Sequence, residues 1–547
     1  MVFDFETDVL VVGSGAAAFS AAITAKSHGD NVMMLEKGDD YGGTTQHSGG
    51  GFWIPNNRFQ RDKGIEDVKN DAVRYMARLS YPQLYNPAHP TLGLPQNNYD
   101  LISTFYDQAA GAIEFLEELG ALQTIQDVNW TGQPQVDYQE QLPENRMVRG
   151  RTLFPRDEEG KQAWGWELID QLHGWADSHG IEIRTRHEAV GIVLNDAREV
   201  VGLEVKVEGE GVKRFRARKA VIFGSGGYTR NPEMILRFQR GPILGGCAVP
   251  TNTGDFIRLG GAIGAALGNM AGAFRSQLIL EAALADPMGI NNLFYVLGDS
   301  VLQVNRWGRR VMDEKRNYND RTMVHYVWDP QRGEWTNLLL FMIYDERTAN
   351  LWQGYPPLPV QGTIDPAVIS GKTLDELADN IALRLRKISV HTGGFALAPG
   401  FKDNLAQTIA RFNEFARTGQ DLDFQRGDFA YDREWTTFPP TIPDVDWPPD
   451  GNSNYTMYPL SDQGPYHAII LAPGTLDTNG GPIINARAQV LDVNGQPIPG
   501  LYGAGNCIAA PSANAYWGGG GTLGPALTFG HIAGLNAAGE AIKPAAD

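Results

Sequence analysis

The chain has 547 residues and a formal net charge of −18 at pH 7. This acidity excludes a nucleic-acid-binding protein, because an acidic surface repels DNA and RNA, and no stretch approaches the ~18 uninterrupted apolar residues of an integral membrane segment. With only two cysteines, Cys247 and Cys507, and no metal-ligand spacing, the sequence predicts a soluble cytoplasmic protein without a metal site or a disulfide framework.

The N-terminal elements follow a βαβ order. Residues 8–12 form a short apolar run rich in β-branched side chains, residues 16–27 have helical composition, and residues 31–36 have the composition of a second strand. A strand, a glycine turn, a helix and a strand within roughly 30 residues are typical of dinucleotide-binding folds.

The glycine motif Gly13-x-Gly15-x-x-Ala18 follows the first strand directly and opens the helix. Glycines at these positions permit a tight turn and let backbone N–H groups approach a pyrophosphate at the positive end of the helix. Glu36, at the end of the second strand, lies where a carboxylate accepts hydrogen bonds from ribose hydroxyls. Together these residues predict a bound dinucleotide.

Further glycine-rich loops favour FAD over NAD. Glycine accounts for 64 of the 547 residues, about 12% against a usual ~7%. Segments 41–45 (YGGTT) and 48–51 (SGGG) follow the second strand closely, and more glycine turns occur at 224–227 and 503–506. NAD does not need a second loop of this kind, whereas a flavin needs backbone that wraps its ribityl chain and approaches its ring.

The rest of the chain changes composition twice. A helix is predicted within residues 98–122 and a β-meander over residues 181–206. Residues 276–460 are rich in polar, aromatic and proline-bearing stretches, whereas the final segment returns to strand–turn–helix composition. We predict an α/β fold in which residues 1–275 and 461–547 form a cofactor-binding domain and residues 276–460 form an inserted α+β catalytic domain.

Four segments resemble the FAD-dependent fumarate reductase/3-ketosteroid dehydrogenase superfamily, and within it the 3-ketosteroid Δ1-dehydrogenases. They are residues 36–57, 221–234, 477–506 and 516–530. The resemblance implies a Rossmann-like, GR2-type FAD-binding domain and non-covalent FAD. The residues expected to hold FAD are Gly13, Gly15, Ala16, Ala17, Glu36, Lys37, Gly43, Thr44, Thr45, Ser48, Gly49, Gly50, Gly226, Gly227, Asp255, Gly505, Asn506, Thr522 and Leu523.

The same resemblance implies four catalytic residues. Ketosteroid dehydrogenases place a tyrosine four residues before a glycine whose N–H binds the ketone, and Tyr516 and Gly520 match this spacing. The family's base is a tyrosine that closes an RRxxNExxPY-like segment, which here ends in Tyr318. A second family tyrosine precedes a GRSL-like element, and Tyr138, before GRTL at 150–153, is the best match.

The implied activity is the introduction of a C=C bond next to a ring ketone, most directly 3-ketosteroid Δ1-dehydrogenation. Tyr318 would take a proton, and the hydride would pass to flavin N5. A hydrogen bond from Tyr138 or a nearby positive charge is expected to favour the Tyr318 phenolate. A dehydrogenase of a smaller cyclic ketone, a reductase of an activated alkene and a flavin-binding protein without turnover remain alternatives.

Particular residues separate these alternatives. Fumarate-type reductases carry a histidine two residues before the GG of the segment that here reads TNGG at 478–481, and this chain lacks it. Asp313 and Asn317 depart from the segment that ends in Tyr318, and Trp517 stands where the family usually has proline. We expect Trp517 to reshape the pocket beside the ketone. No haem-attachment or iron–sulfur spacing is present, so electrons are expected to leave to an external quinone or dye-like acceptor.

Overall fold

The computed structural model describes residues 2–290 and 292–544. Most predicted elements of the cofactor-binding domain occur close to their expected bounds. The α-helices are α1 (Ala16–Ser27), α2 (Gly43–Gln46), α3 (Arg58–Asp62), α4 (Lys69–Ser80), α5 (Gln96–Glu118), α6 (Gly165–Ser178), α7 (Pro232–Phe238), α8 (Asp255–Ala262), α9 (Leu280–Ala285), α10 (Tyr318–Thr322), α11 (Glu346–Leu351), α12 (Leu374–Lys387), α13 (Phe401–Thr418), α14 (Ala430–Glu434) and α15 (Leu523–Ala538).

The strands belong to several sheets. They are β1 (Phe5–Val12), β2 (Val32–Leu35), β3 (Phe52–Trp53), β4 (Thr124–Gln126), β5 (Thr152–Pro155), β6 (Glu182–Arg184), β7 (His187–Leu194), β8 (Val200–Val207), β9 (Gly211–Phe223), β10 (Leu267–Gly268), β11 (Ala273–Ile279), β12 (Val301–Val304), β13 (Trp328–Asp329), β14 (Glu334–Trp335), β15 (Leu340–Asp345), β16 (Ile369–Gly371), β17 (Tyr466–Thr478), β18 (Gly481–Pro482), β19 (Gln489–Leu491) and β20 (Pro497–Gly503).

The first sheet has the order β19-β20-β9-β1-β2-β6, and the β7–β8 hairpin extends it from β9. β1 runs parallel to both β2 and β9, with Val9 opposite Val32 and Val12 opposite Phe223. The side chains of Val9 to Val11 are fully buried, as expected for a parallel strand that is covered on both faces. The ends of β1, β2 and β9 therefore meet at one edge of the sheet, where α/β folds bind cofactors.

Two helices from opposite ends of the chain pack against each other beside this sheet. A Cβ added at Gly530 of α15 would lie 2.4 Å from the Ala17 carbonyl oxygen of α1, and one at Gly534 would lie 2.4 Å from that of Ala21. Ser20 Oγ also donates a hydrogen bond to the Leu527 carbonyl at 2.7 Å. The glycines of α15 thus permit the close approach that brings the C-terminal segment to the N-terminal motif.

The second sheet is antiparallel and has the order β11-β17-β15-β12, with β16 also pairing with β17. The long strand β17 crosses the middle of this sheet, and its partner β11 pairs Ala273 with Thr478. Helices α12 and α13 contribute Leu377, Ile381 and Leu405 to the core on one side of it. This region has the α+β character that the sequence predicts, while the division at residues 275 and 460 stays a prediction.

A small third sheet has the order β3-β5-β4, and its strand β3 packs against the start of α15, where a Cβ at Gly524 would lie 2.1 Å from the Trp53 carbonyl oxygen. Its strands carry Trp53 and Thr152, and the chain leaves β4 directly into Asp127. Within the described part of the chain, no helix is both long and apolar enough to cross a membrane.

Candidate active site

A cavity of about 750 Å³ extends from the carboxyl ends of β1 and β2 to a cluster of aromatic side chains beside β17. All the residues expected to hold FAD line it except Gly227, whose N–H donates to Asp477 Oδ2 at 2.8 Å. Tyr138, Tyr318, Tyr516 and Gly520 also line it. The structure therefore brings both predicted groups to one cavity, although their individual roles remain proposals.

One end of the cavity has the geometry expected for the ADP half of a dinucleotide. Helix α1 begins there with Gly15 at its N-cap, and the Ala16 N–H donates to Thr45 Oγ1 at 3.1 Å. Glu36 lies beside this helix end, where its carboxylate accepts hydrogen bonds from Ser14 Oγ at 2.6 Å and from the Gly38 N–H at 2.7 Å. A carboxylate has ~4 acceptor sites, so Glu36 retains capacity for ribose hydroxyls.

The glycines of this cavity fit a group that approaches the backbone closely. A Cβ at Gly49 would meet no protein atom within 4 Å, and Gly49 lines the cavity, so a ligand could approach its backbone closely. Gly13 is constrained differently, because its φ is +101° and a Cβ would lie 2.5 Å from the Gly224 carbonyl oxygen. The residues present therefore fit FAD, which the glycine turn before α1 and the loop before α15 would hold.

Lys37 and Asp255 form an ion pair among the residues that line the cavity. Lys37 Nζ donates to Asp255 Oδ2 at 2.6 Å and to Thr253 Oγ1 at 2.6 Å. Asp255 is the first residue of α8 and follows Gly254, whose φ is +79°. The Lys37 side chain, which follows β2, thus links that strand to the start of α8.

Asp477 was not among the predicted site residues, although it lines the centre of the cavity. It is the penultimate residue of β17 and accepts hydrogen bonds from the Gly227 N–H at 2.8 Å, Thr229 Oγ1 at 2.8 Å and Asn252 Nδ2 at 2.7 Å. Burial raises the pKa of the Asp477 carboxyl. The signal in the sequence was its position just before the TNGG segment, at the end of a buried strand.

Three tyrosines from distant parts of the chain form the other end of the cavity. The Tyr138 hydroxyl donates to the Tyr318 hydroxyl at 3.0 Å. The Tyr516 ring lies 5.3 Å from that of Tyr318 and 5.4 Å from that of Tyr138, measured between centroids. All three side chains are at most 6% exposed. This cluster places three phenolic hydroxyls in one dry environment.

Local structure fixes Tyr318 and Tyr138 relative to each other. Tyr318 is the first residue of α10, and the side chain of Asn317 caps that helix by accepting from the Asp320 N–H. Arg316 Nη2 donates to the Tyr138 carbonyl at 2.9 Å and so joins the two segments. Asn317, which departs from the family's segment, therefore has a structural role as the cap of α10.

The segment before Tyr318 is anchored by buried charges. Arg310 binds Glu314 through two hydrogen bonds of 2.8 Å and reaches Asp421 at 2.8 Å. Lys315 Nζ donates to the carbonyls of Val296 and Gly298. Because such buried groups are costly to leave unpaired, these contacts hold the segment rigidly in place.

The pKa values in the tyrosine cluster are displaced upward. Burial raises the pKa of Tyr318 well above 10, and its neighbours Tyr138 and Tyr516 act in the same direction. Burial likewise raises the pKa of Tyr516, whereas its contacts with Tyr318 and Thr522 lower it. The Tyr138 hydroxyl nevertheless donates to the Tyr318 oxygen, and a donor at that atom favours the phenolate, so the role of Tyr138 stays a prediction.

The loop that holds Gly520 is fixed to the third sheet. The Trp53 N–H donates to the Gly520 carbonyl at 3.0 Å, and Thr152 Oγ1 donates to the Gly519 carbonyl at 2.9 Å. Gly520 has φ +87°, and a Cβ would lie 2.4 Å from Phe52 Cα. Its own N–H donates no backbone hydrogen bond within the described residues, so it is free to bind a ligand at the cavity.

Trp517 does not lie beside the ketone site, so the expectation that it reshapes the pocket is wrong. Its indole is fully buried and donates to Ser80 Oγ at 3.0 Å, and its ring lies 5.3 Å from that of Phe105. Its carbonyl accepts from the Tyr75 hydroxyl at 2.6 Å. Trp517 therefore packs behind the Gly520 loop, in the core of the first sheet.

Sequence reasoning also missed most of the wall around the tyrosines. The additional lining residues come from the loop after β4, from the segment before β12 and from the region after α13. They are Asp127, Asn129, Gln135, Phe294, Tyr295, Trp435 and Phe438. These segments have no local motif, and only the fold brings them together.

The family model described as FAD binding domain matches residues 8–523. The chain belongs to this family. This flavoprotein is also 31% identical to 4-oxocyclohexanecarboxylate 2-dehydrogenase of Sinomonas cyclohexanicum, over 98% of this chain and 93% of the relative. It is 28% identical to 3-oxosteroid 1-dehydrogenase of Mycolicibacterium smegmatis, over 98% of both chains.

A solved structure is similar in fold to this flavoprotein. The 3-ketosteroid Δ1-dehydrogenase of Sterolibacterium denitrificans, in complex with 1,4-androstadiene-3,17-dione, has a TM-score of 0.81 and 24% identity, and the match covers 98% of this chain and 99% of that one. The resemblance that the motifs carry and the predicted α/β flavoprotein fold are confirmed. FAD is the cofactor, and the protein is an FAD-dependent oxidoreductase.

Proposed function

We propose that this flavoprotein dehydrogenates a ring ketone of the 3-ketosteroid type, forming a C=C bond between the carbons α and β to the carbonyl. The observation that carries the proposal is the cluster of Tyr138, Tyr318 and Tyr516 beside Gly520, in the same cavity as the FAD residues. The names of two relatives, a steroid and a cyclohexanone-type dehydrogenase, support the class of substrate.

Tyr516 and Gly520 would bind the ketone oxygen. The Tyr516 hydroxyl and the Gly520 N–H are two donors held on a loop that the third sheet fixes. Two fixed donors stabilise the negative charge that develops on oxygen as the adjacent C–H bond breaks. The N-terminus of α15 lies directly after this loop. Its partial positive charge would also stabilise the negative charge on the ketone oxygen.

Tyr318 would take the proton from the carbon next to the ketone. Its raised pKa makes the phenolate a minor species at neutral pH, but a phenolate of high pKa is a strong base once formed. Tyr138, at 3.0 Å, orients the hydroxyl of Tyr318. Bound FAD supplies the acceptor for the hydride that leaves the neighbouring carbon.

The charges of the cavity oppose a fumarate-type reductase. No arginine lines the cavity among the described residues, and its single lysine, Lys37, is paired with Asp255. A dicarboxylate would therefore meet no free guanidinium near the tyrosines. The lack of the reductase histidine in the 478–481 segment agrees with this conclusion.

The two directions of the reaction are tested by anaerobic mixing. Purified FAD-loaded protein is mixed with 3-ketosteroids and with substituted cyclohexanones, and the flavin absorbance is followed. We expect at least one saturated or partly saturated ring ketone to bleach the flavin. Oxidation of a reduced dye by fumarate or by an enone, with no bleaching by any ketone, would contradict the proposal.

A further inference from the structure

A polar part of the cavity wall takes no part in the chemistry proposed above. Asp127 and Gln135 both line the cavity, and each is 5% exposed. The hairpin that follows β4 pairs their segments, because the bridge between Val128 and Pro134 places Asp127 opposite Gln135. Opposed residues of an antiparallel pair present their side chains to the same face. The carboxyl and the carboxamide therefore share one stretch of wall.

The backbone holds these two side chains in place. The Asp127 N–H donates to the Thr152 carbonyl at 3.0 Å, and the Gln135 N–H donates to the Asp127 carbonyl at 3.2 Å. Thr152 is also the residue whose hydroxyl binds the Gly519 carbonyl. This polar patch is thus built on the same sheet as the loop that carries Gly520, at a fixed position relative to it.

One polar atom of the patch lacks a partner among the described residues. Gln135 Oε1 is buried and has no hydrogen-bond partner among the described residues. The Asp127 carboxyl accepts from the Val128 N–H, and burial raises its pKa to about 8. The carboxyl is consequently protonated at neutral pH and can donate its O–H. Buried polar groups in native proteins nearly always find a partner, so a ligand is the natural source of one here.

No cation is available to an anionic group at this patch. The lysine that lines the cavity, Lys37, is already paired with Asp255, and no arginine lines it among the described residues. Within residues 2–290 and 292–544, no cation forms an ion pair with Asp127. A substrate carboxylate at this position would be desolvated without a cation to pair with, which is strongly unfavourable.

The mouth of the cavity is apolar. Five lining residues there are 37–57% exposed, and they are Val128, Trp130, Trp164, Ile290 and Tyr355. An entrance of this kind suits a substrate with an apolar body. The apolar entrance and the polar patch therefore indicate a ligand that is apolar over most of its length and hydrogen-bonds at one more position.

We propose that Asp127 and Gln135 form a subsite that binds a second, uncharged oxygen function of the ketone substrate and rejects carboxylates. The Asp127 O–H would donate to a carbonyl or hydroxyl oxygen, and Gln135 Oε1 would accept from a hydroxyl. This inference rests on the proposed ring-ketone dehydrogenation. It separates the specificity of this chain from that of the relative named for 4-oxocyclohexanecarboxylate.

The test compares ketones that differ only at the remote position. The FAD-loaded protein is titrated with androst-4-ene-3,17-dione, with androst-4-en-3-one and with 3-oxoandrost-4-ene-17β-carboxylate. A smaller series is run in parallel and consists of 4-oxocyclohexanecarboxylate, its methyl ester and 4-ethylcyclohexanone. The subsite is judged on the series that binds more tightly. Kd is taken from the perturbation of the flavin absorbance, and kcat/KM from anaerobic bleaching.

We expect the carboxylate to bind roughly 100-fold more weakly than its uncharged counterpart, and the second oxygen to improve binding roughly 10-fold. Asp127→Leu and Gln135→Leu should remove most of that 10-fold preference through KM, with kcat little changed, whereas Asp127→Asn should keep most of it. Asp196→Leu, at an exposed aspartate, is the control and should keep all of it.

Two results would overturn the subsite: a carboxylate that binds as tightly as its uncharged counterpart, or an unchanged preference in both leucine variants. Gln135→Leu provides the answer if Asp127→Leu does not fold. Failure of the proposed function has a different signature, namely that no ketone bleaches the flavin. The Kd values need no turnover, so they test the subsite even in that case.

Discussion

The two ends of the cavity are built in different ways. The FAD end consists largely of backbone, supplied by glycine turns that follow β1, β2 and β9. The tyrosine end consists of side chains from separate segments, and Tyr138 and Tyr318 are 180 residues apart. A site made of backbone is sensitive to added atoms, whereas a site made of hydroxyls is sensitive to the removal of one atom. Each substitution below tests one side of this contrast.

Tyr318→Phe should have the largest effect. It removes one oxygen that is buried among Tyr138 and Tyr516 and leaves the ring packing intact. Loss of a general base costs ~10²- to 10⁴-fold in turnover, so we expect kcat to fall about 1,000-fold with FAD content unchanged. Tyr344→Phe, at a buried tyrosine outside the cavity, is the matched control. Turnover above half that of the unaltered protein would exclude Tyr318 as the base.

Gly520→Ala should reduce turnover through the backbone. The added Cβ would lie 2.4 Å from Phe52 N and Cα, so the loop must shift and carry the N–H away from the ketone oxygen. The loss of one such donor costs ~10²- to 10³-fold in kcat. Gly495→Ala is the control, because its φ is also positive but no atom lies within 4 Å of the added Cβ. Unchanged kcat in Gly520→Ala would remove this N–H from the mechanism.

Gly49→Val should weaken FAD binding without unfolding the protein. Its side chain would enter the cavity, where no protein atom lies within 4 Å of the Cβ. Overpacking of this kind costs ~1–3 kcal/mol, which corresponds to a loss of roughly 5- to 150-fold in FAD affinity. Fluorescence titration of the FAD-depleted protein measures it. Gly111→Val, on α5 away from the cavity, should bind FAD normally, and equal affinities in both variants would argue against this placement of the cofactor.

Tyr138→Phe should have a smaller effect than Tyr318→Phe. It removes the 3.0 Å hydrogen bond to Tyr318 but not the proposed base itself. One neutral hydrogen bond is worth ~1 kcal/mol, so we expect kcat to fall about 5- to 10-fold, with KM nearly constant. A fall in kcat as large as that in Tyr318→Phe would show that the roles of base and of orienting residue have been assigned to the wrong tyrosines.

Asp127→Asn should change stability in a pH-dependent way. The pKa of this carboxyl is about 8 in the folded protein, against an ordinary value of 3.8. The folded state therefore holds a proton that the unfolded state has lost, and stability falls as pH rises from about 4 to about 8. The amide cannot ionise, so the Tm of the variant relative to the unaltered protein should rise between pH 4 and pH 9.

The matched control for this measurement is Asp196→Asn, at an exposed aspartate. Its Tm difference from the unaltered protein should be the same at both pH values. A pH-independent difference in Asp127→Asn as well would show that Asp127 is ionised in the folded protein, and the donor role proposed for it would fail.

The contrast between the two ends also explains what the sequence could predict. Helix α1 begins and ends at the predicted residues, and β1 and β2 lie within a few residues of their predicted bounds, because apolar runs and glycine turns are local signals. The same turns contain many of the residues that the resemblance predicts to hold FAD. Tyr138, Tyr318 and Tyr516 could be named only through the resemblance, since no spacing along the chain links them.

Other features could not be predicted, because they depend on tertiary contacts. Trp517 lies next to Tyr516 in the chain, yet its side chain points to Ser80 and the core. Asp127 and Gln135 belong to a hairpin without a recognisable motif, and their significance comes from the cavity that they line. Of two residues that are adjacent in the chain, one can therefore face the core and the other the site. The amino-acid composition of the segment does not distinguish them.

The most direct test of the account is a single anaerobic turnover with a ring ketone that bleaches the flavin. We expect one equivalent of conjugated C=C product, measured by its ultraviolet absorbance, for each flavin bleached. We also expect FAD-loaded Tyr318→Phe to form none on the same timescale. Bleaching without the conjugated product, or equal product formation in the variant, would contradict the proposed dehydrogenation by the tyrosine cluster.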